Sequence, residues 1–205
     1  MQNYWYIIIF AVVLVAAVFI WIQAIKSMGK SGKMRRETIA KLDRFNALAG
    51  KYEALTAADL GEIADADLFD VAMIRLWKKL GKPEEEMENF LALSDEEKNV
   101  YTAWYIREEV TNEGFSAYFR NCGNALGKIS VDVLGLMGLP ELDAVMKTAC
   151  EMFDEESEVS CDKEQIKAVN EQFRAAYNAE EYCAAAAQYI KANADKFIDA
   201  EEAAE

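Results

Sequence analysis

The sequence predicts an all-α protein, with an N-terminal single transmembrane helix followed by a compact multi-helix soluble domain. Three observations carry this. From Tyr4 to Ile22 every residue is apolar or aromatic. Beyond residue 36, apolar residues recur at intervals of three and four, the period of a helix with one buried face. The chain has only two prolines, Pro83 and Pro140, and β-branched alternating runs are absent outside the N-terminal stretch.

At about 1.5 Å per residue the 19-residue apolar run spans roughly 28 Å, the hydrocarbon thickness of a bilayer. Tyr4, Trp5 and Tyr6 at one end and Trp21 at the other match aromatic belts at the two interfaces. A cleaved signal peptide would need a positive segment before a shorter core and a small-residue cleavage site. Here no cation precedes the core, and Lys26, Lys30, Lys33, Arg35 and Arg36 follow it. A helix packed by one side on the core of a domain this small would show a polar face, and this run has none. The expectation is a retained anchor. The positive-inside bias then places the basic stretch and all that follows in the cytoplasm, with residues 1–3 outside. The boundaries follow as an anchor at 1–25, a basic juxtamembrane linker at 26–36, a linker helix at 37–64, an acidic helical domain at 65–198 and an acidic tail at 199–205.

The periodicity predicts a helix over 35–56 carrying Ile39, Leu42, Phe45, Leu48, Ala49 and Tyr52, then a weaker stretch with a turn near Gly61. A strong helix follows from Asp67 and is ended by Gly81 and Pro83. Glu84–Leu91 reads as a short acidic helix or loop. Ser94 with Glu97 is a capping-box pattern opening a helix with Val100, Tyr101, Trp104, Tyr105 and Val110. A short aromatic helix with Phe115, Tyr118 and Phe119 is expected to stop at Asn121-Cys122-Gly123, and Asn124 to cap the next, with Leu126, Ile129, Val133, Leu134 and Met137 on its stripe. Gly138 and Pro140 form a stop–start junction before Leu142, Val145, Met146, Ala149 and Met152. The acidic loop Asp154–Asp162 precedes two closing helices. The aromatic stripes read as core.

The chain carries −14 overall, and residues 37–205 carry −19, because the first 36 residues hold five cations and no anion. This disfavours direct nucleic-acid binding. There is no histidine, which excludes His-based triads and His-containing zinc sites and removes the commonest general base near neutral pH. Cys122, Cys150, Cys161 and Cys183 fit no metal template and no redox pair, and read as small core side chains kept as thiols in the cytoplasm. Asp65 and Asp67 form a D-x-D pair without the glycine and glutamate that a calcium loop needs, so a helix cap is the better reading. No cofactor, metal site or catalytic residue is expected.

The segment EVTNEGFSAYFRN, Glu109–Asn121, resembles the signature of the DNA-mimic protein family's C-terminal helical domain, which runs E-V-N-N-G-G-F-x-Q-[YF]-[FL]-x-N. Glu109, Val110, Asn112, Gly114, Phe115, Tyr118, Phe119 and Asn121 match, and Thr111, Glu113 and Ala117 depart. Asp65–Leu80, the Gly138 junction and Asn170–Ile198 are similar to its flanking elements, so the resemblance covers about residues 65–198. The residue types themselves suit a structural role: a tight turn at Gly114, a cap from Asn112 for the helix near Phe115, and aromatic rings inserted in the bundle. Glu108 and Glu109 sit near a helix C-terminus, so at least one of them should have a partner, for which Arg107, Arg120 or a free backbone N–H of the next helix are candidates.

The resemblance implies an acidic helical surface that imitates DNA and occupies the basic groove of a DNA-binding partner. The candidate acidic surface comprises Glu84, Glu85, Glu86, Glu88, Asp95, Glu96, Glu97, Glu108, Glu113, Asp154, Glu155, Glu156 and Glu158. The leading expectation is a non-enzymatic, membrane-anchored cytoplasmic module that binds a protein partner, as adaptor or sequestering protein. The alternative is a DNA-mimic-like protein that occupies a partner's DNA-binding surface. A carboxylate-dependent enzyme is the third class.

Overall fold

The computed structural model describes residues 36, 38–82, 84–153 and 163–198, the side chains of 122–125 and 128 excepted. The apolar run 4–22, its belts, the cations Lys26 to Arg35, Cys122, Cys161, the loop 154–162 and the tail 199–205 lie outside what is described. Among the described residues every regular element is a helix, no strand occurs, and no helix is long and apolar enough to cross a membrane.

Contacts divide the chain into two units, Met1–Ala47 and Leu48–Glu205. Residues 38–51 are helical (α1). Of the apolar residues at helical spacing on it, Ile39 and Leu42 are 47% and 55% exposed, while Leu48 is buried. The helix ends at 51, short of the expected 56.

The second unit runs α2 (Ala57–Glu62), α3 (Asp65–Leu80), α4 (Glu86–Ala92), α5 (Asp95–Tyr105) continuing into a π turn (Ile106–Val110), α6 (Phe115–Ser130), α7 (Val133–Leu136), α8 (Pro140–Met152), α9 (Lys163–Ala176), α10 (Ala179–Ala192) and α11 (Ala194–Phe197). No turn interrupts the chain at Gly61, because α2 runs through it. Its start is fixed by a capping box: Thr56 Oγ1 accepts from the Asp59 N–H, and Asp59 accepts in return from the Thr56 N–H. α3 begins at Asp65 and ends at Gly81, whose φ of 70° stops it as expected. Neither aspartate of the D-x-D pair caps α3. Its N-cap is Ala64, and both carboxylates stand in the first turn, where the helix dipole favours them. Asp65 pairs with Lys191 at 2.9 Å.

The Ser94–Glu97 capping box forms as the sequence indicates. The stop expected at 121–123 does not occur. α6 continues to Ser130, because Tyr118, Leu126 and Ser130 keep one buried stripe in phase across the break. A mid-helix glycine costs only about 1 kcal/mol, less than that burial returns. Position 124 is therefore helix interior rather than a cap. The Gly138–Pro140 junction is present: Gly138 has φ 80° and Pro140 is the first residue of α8.

α3 packs against α10 and α5, and α5 passes on to α6. α6 and α9 close on α8. Leu68, Phe69, Met73, Val100, Tyr182, Ala186 and Ile190 fill the first cluster, and Phe115, Tyr118, Met146, Ala149 and Phe173 the second. Ring contacts link the two, from Phe69 through Tyr182, Tyr177 and Phe173 to Phe115, Phe119 and Phe153. The aromatic stripes are core.

Candidate functional site

The motif Glu109–Asn121 folds around one turn. The π turn Ile106–Val110 widens the end of α5, and Gly114 reverses the chain at φ 88°, ψ 178°, a conformation that essentially only glycine adopts. Phe115 then starts α6. Its N–H donates not to Asn112 but to Asn170 Oδ1 of α9, at 2.9 Å. Asn112 instead donates backward to the Glu108 carbonyl at 2.6 Å. The expected local cap is thus replaced by one supplied from 55 residues away, which clamps α9 onto the turn. Asn170 approaches so closely that a Cβ on Gly114 would lie 2.7 Å from its Oδ1.

The motif residues that match the family signature serve the fold. Asn121 Nδ2 donates to Glu109 Oε2 at 2.9 Å, bridging the two sides of the turn. Val110 and Phe115 are buried. Ser130 donates to the Leu126 carbonyl, so the 2.5 Å contact with Tyr118 is donated by the tyrosine hydroxyl. Phe119 stacks on Phe153 with centroids 4.3 Å apart. Glu108 pairs with Arg107 at 3.1 Å, one of the partners its position required, whereas Glu109 takes Asn121 rather than an arginine.

Arg107, in the sequence only a candidate partner for Glu108 or Glu109, is a buried hub. Its guanidinium meets Asp70 at 2.6 Å, lies 4.7 Å from the Phe69 ring centroid and reaches Cys183 Sγ at 3.7 Å. Trp104 Nε1 donates to the same Asp70 oxygen. Burial works against the charge on Arg107, and the Asp70 and Glu108 carboxylates outweigh it, holding its proton more firmly than usual. Tyr182, fully buried on α10, donates to the Ala103 carbonyl just before the π turn. This assembly joins α3, α5 and α10 and is largely buried.

The acidic candidates divide. Glu97 is 6% exposed and committed: its carboxylate accepts from the Ser94 N–H in the capping box and pairs with Lys79. Glu108 is held by Arg107, and Glu86 accepts from the Tyr101 hydroxyl at 3.2 Å. Glu84, Glu85, Glu88 and Glu113 are exposed, Glu96 is half-exposed, and none of these five makes an ion pair among the described residues. Asp95, also exposed, stands 3.9 Å from Lys98. Asp154, Glu155, Glu156 and Glu158 lie outside the described residues, and of the basic stretch only Arg36, exposed, is described. The exposed set is concentrated where α4 meets α5: from Glu84 to Glu97 there are seven carboxylates and no lysine or arginine.

Cys150 and Cys183 are free thiols. Burial pushes the Cys150 thiol up to about 11. A cleft of about 150 Å³ lies between Pro140–Leu142 and Ala176–Glu181. A wider depression of about 480 Å³ is lined by Asp65, Ala66, Ala179, Glu180, Cys183 and Ala184. Among the described residues no group of three or more cysteine and carboxylate side chains could hold a metal ion.

A family model described as DMP19-like protein, after DNA mimic protein 19, matches residues 91–193, just over half of the chain. The match takes in α5, the π turn and α6 to α10, and so includes the whole motif and its Asn170 clamp. No curated protein and no solved structure matches the chain.

Proposed function

The chain belongs to the DMP19-like protein family, and on that premise we propose that it is a non-enzymatic module that binds a protein partner through exposed carboxylates, held at the inner face of a membrane by its apolar N-terminal run. The observation that carries this reading is the acid-only stretch Glu84–Glu97, with Glu84, Glu85, Glu88 and Asp95 turned to solvent while the motif residues are spent on the fold. A rigid set of carboxylates complements a surface of lysines and arginines and steers its approach. The lack of histidine supports a binding role over catalysis. The 19-residue apolar run followed by five cations supports the anchor and its orientation.

DNA imitation is the second reading, favoured by the name of the family. Within the matched region 19 acidic residues stand against 9 basic ones, a net −10. A partner that grips DNA phosphates with lysine and arginine would meet the same charges here.

Affinity capture with the full chain from cell extract, at low and at high salt, tests both. Binding reads as a partner retained at low salt and released at high salt. Imitation further requires that duplex DNA displace that partner. Retention unaffected by DNA eliminates imitation, and the absence of any salt-released partner eliminates the carboxylate reading.

A further inference from the structure

Helix α4 packs inward through Phe90, which is 6% exposed and touches Tyr101 with centroids 5.1 Å apart, and through Asn89, whose amide donates to the Leu80 carbonyl. Leu93 closes its end, buried. The opposite face carries Met87, Glu88 and Leu91. Met87 is 58% and Leu91 66% exposed, the highest value among the large apolar side chains described. They stand four residues apart, one helical turn, about 6 Å along the axis. Glu84 and Glu85 occupy the turn before, and Asp95 and Glu96 the first turn of α5.

An apolar pair at the centre with carboxylates around it has the anatomy of a protein interface: an apolar anchor inside a polar rim. A face that only imitated phosphates would gain nothing from Met87 and Leu91. We propose that this outward face of α4 docks a basic amphipathic helix of a protein partner, whose apolar stripe covers Met87 and Leu91 and whose flanking lysines and arginines meet Glu84, Glu85, Glu88 and Asp95. The charge fits only that sign of partner, since no cation lies between Glu84 and Glu97. Apolar residues three and four apart on a helix match the one-turn separation of the pair. The inference rests on the reading of the chain as a carboxylate-lined binding module and adds the place and the chemistry of the partner.

The test uses the full chain in a neutral detergent with carbon-13 at the methionine methyls. The probe is an 18-residue helical peptide of leucine and lysine with one apolar face, alongside a peptide of the same composition in an order without that face. At about 0.15 M salt the Met87 methyl should shift saturably with the amphipathic peptide, while Met73 and Met146 in the core stay in place. Leu91→Ser and the pair Glu84→Gln/Glu88→Gln should each weaken binding about tenfold, and the reordered peptide should bind correspondingly less well. Equal binding of both peptides, or affinity unchanged by Leu91→Ser, overturns the proposal. If Glu113→Gln or Glu180→Gln/Glu181→Gln weakens binding while the α4 variants do not, another acidic face is the site: the proposal falls and the wider reading stands. If neither peptide binds at all, both fall.

Discussion

Replacing Gly114 by alanine should destabilise the protein in two separable ways. At φ 88° and ψ 178° a residue with a Cβ is held in a region open essentially only to glycine, at a cost of about 1–3 kcal/mol. The new Cβ would also sit 2.7 Å from Asn170 Oδ1, so the amide must swing away and release the Phe115 N–H that it caps. Loss of an N-cap costs about 1 kcal/mol. The sum for Gly114→Ala is about 2–4 kcal/mol. Asn170→Ala alone loses only the cap. In its presence Gly114→Ala meets no obstacle and should cost the backbone term alone, so the two changes together cost about 1 kcal/mol less than their sum. Urea unfolding of the full chain and the three variants in a mild detergent, followed by near-ultraviolet circular dichroism, measures this cycle. Strict additivity within about 0.3 kcal/mol, or a Gly114→Ala cost under about 0.5 kcal/mol, would refute the clamp.

Three further outcomes are expected. Glu97→Gln should destabilise the protein at neutral pH, and the difference should close on acidification. Burial raises the Glu97 carboxyl, but Lys79 and the Ser94 N–H outweigh it and hold the group below its ordinary range. Its contribution is therefore fully present above the unfolded value of about 4.3 and is lost as pH falls through the lower folded value, so a gap that stays constant to pH 3 counts against the assignment. Arg107→Met should cost about 3–5 kcal/mol by leaving Asp70, 2% exposed, buried without its cation, while Arg107→Met with Asp70→Leu should recover much of that loss in the same unfolding assay. For the anchor, a cysteine at position 3 (Asn3→Cys) should react in intact cells with a maleimide that cannot cross membranes, and the native cysteines should not. The reverse labelling would invert the proposed orientation.

The parts of the fold legible in the sequence are those written in local chemistry. Ser94 with Glu97, Gly81 after Leu80, and Gly138 before Pro140 each act within one turn, and each forms as its residue types require. What escaped is non-local. Asn112 has the right chemistry to cap the helix at Phe115, but Asn170 takes the bond because tertiary packing delivers it there. Asn121-Cys122-Gly123 reads as a stop, yet the buried phase of Tyr118, Leu126 and Ser130 carries α6 through it. The Arg107 hub did leave a trace. Arg107 falls on the stripe of Val100 and Trp104, and Asp70 on that of Met73 and Trp77, so two opposite charges interrupt two apolar faces. Nothing in either stripe says that they meet. For the acidic surface, composition shows the charge and only part of its spending: the capping box marks Glu97 and the adjacent Arg107 marks Glu108, but nothing local says that Lys79 of α3 pairs with Glu97.

The most direct test of the central claim is the salt dependence of affinity for a purified captured partner. It is measured with the unmodified chain and with Glu84, Glu85, Glu88 and Asp95 all changed to their amides. Binding through exposed carboxylates predicts affinity that falls steeply as salt rises, with a clearly shallower slope and weaker binding for the amide variant. Equal slopes and equal affinities for the two chains would contradict it.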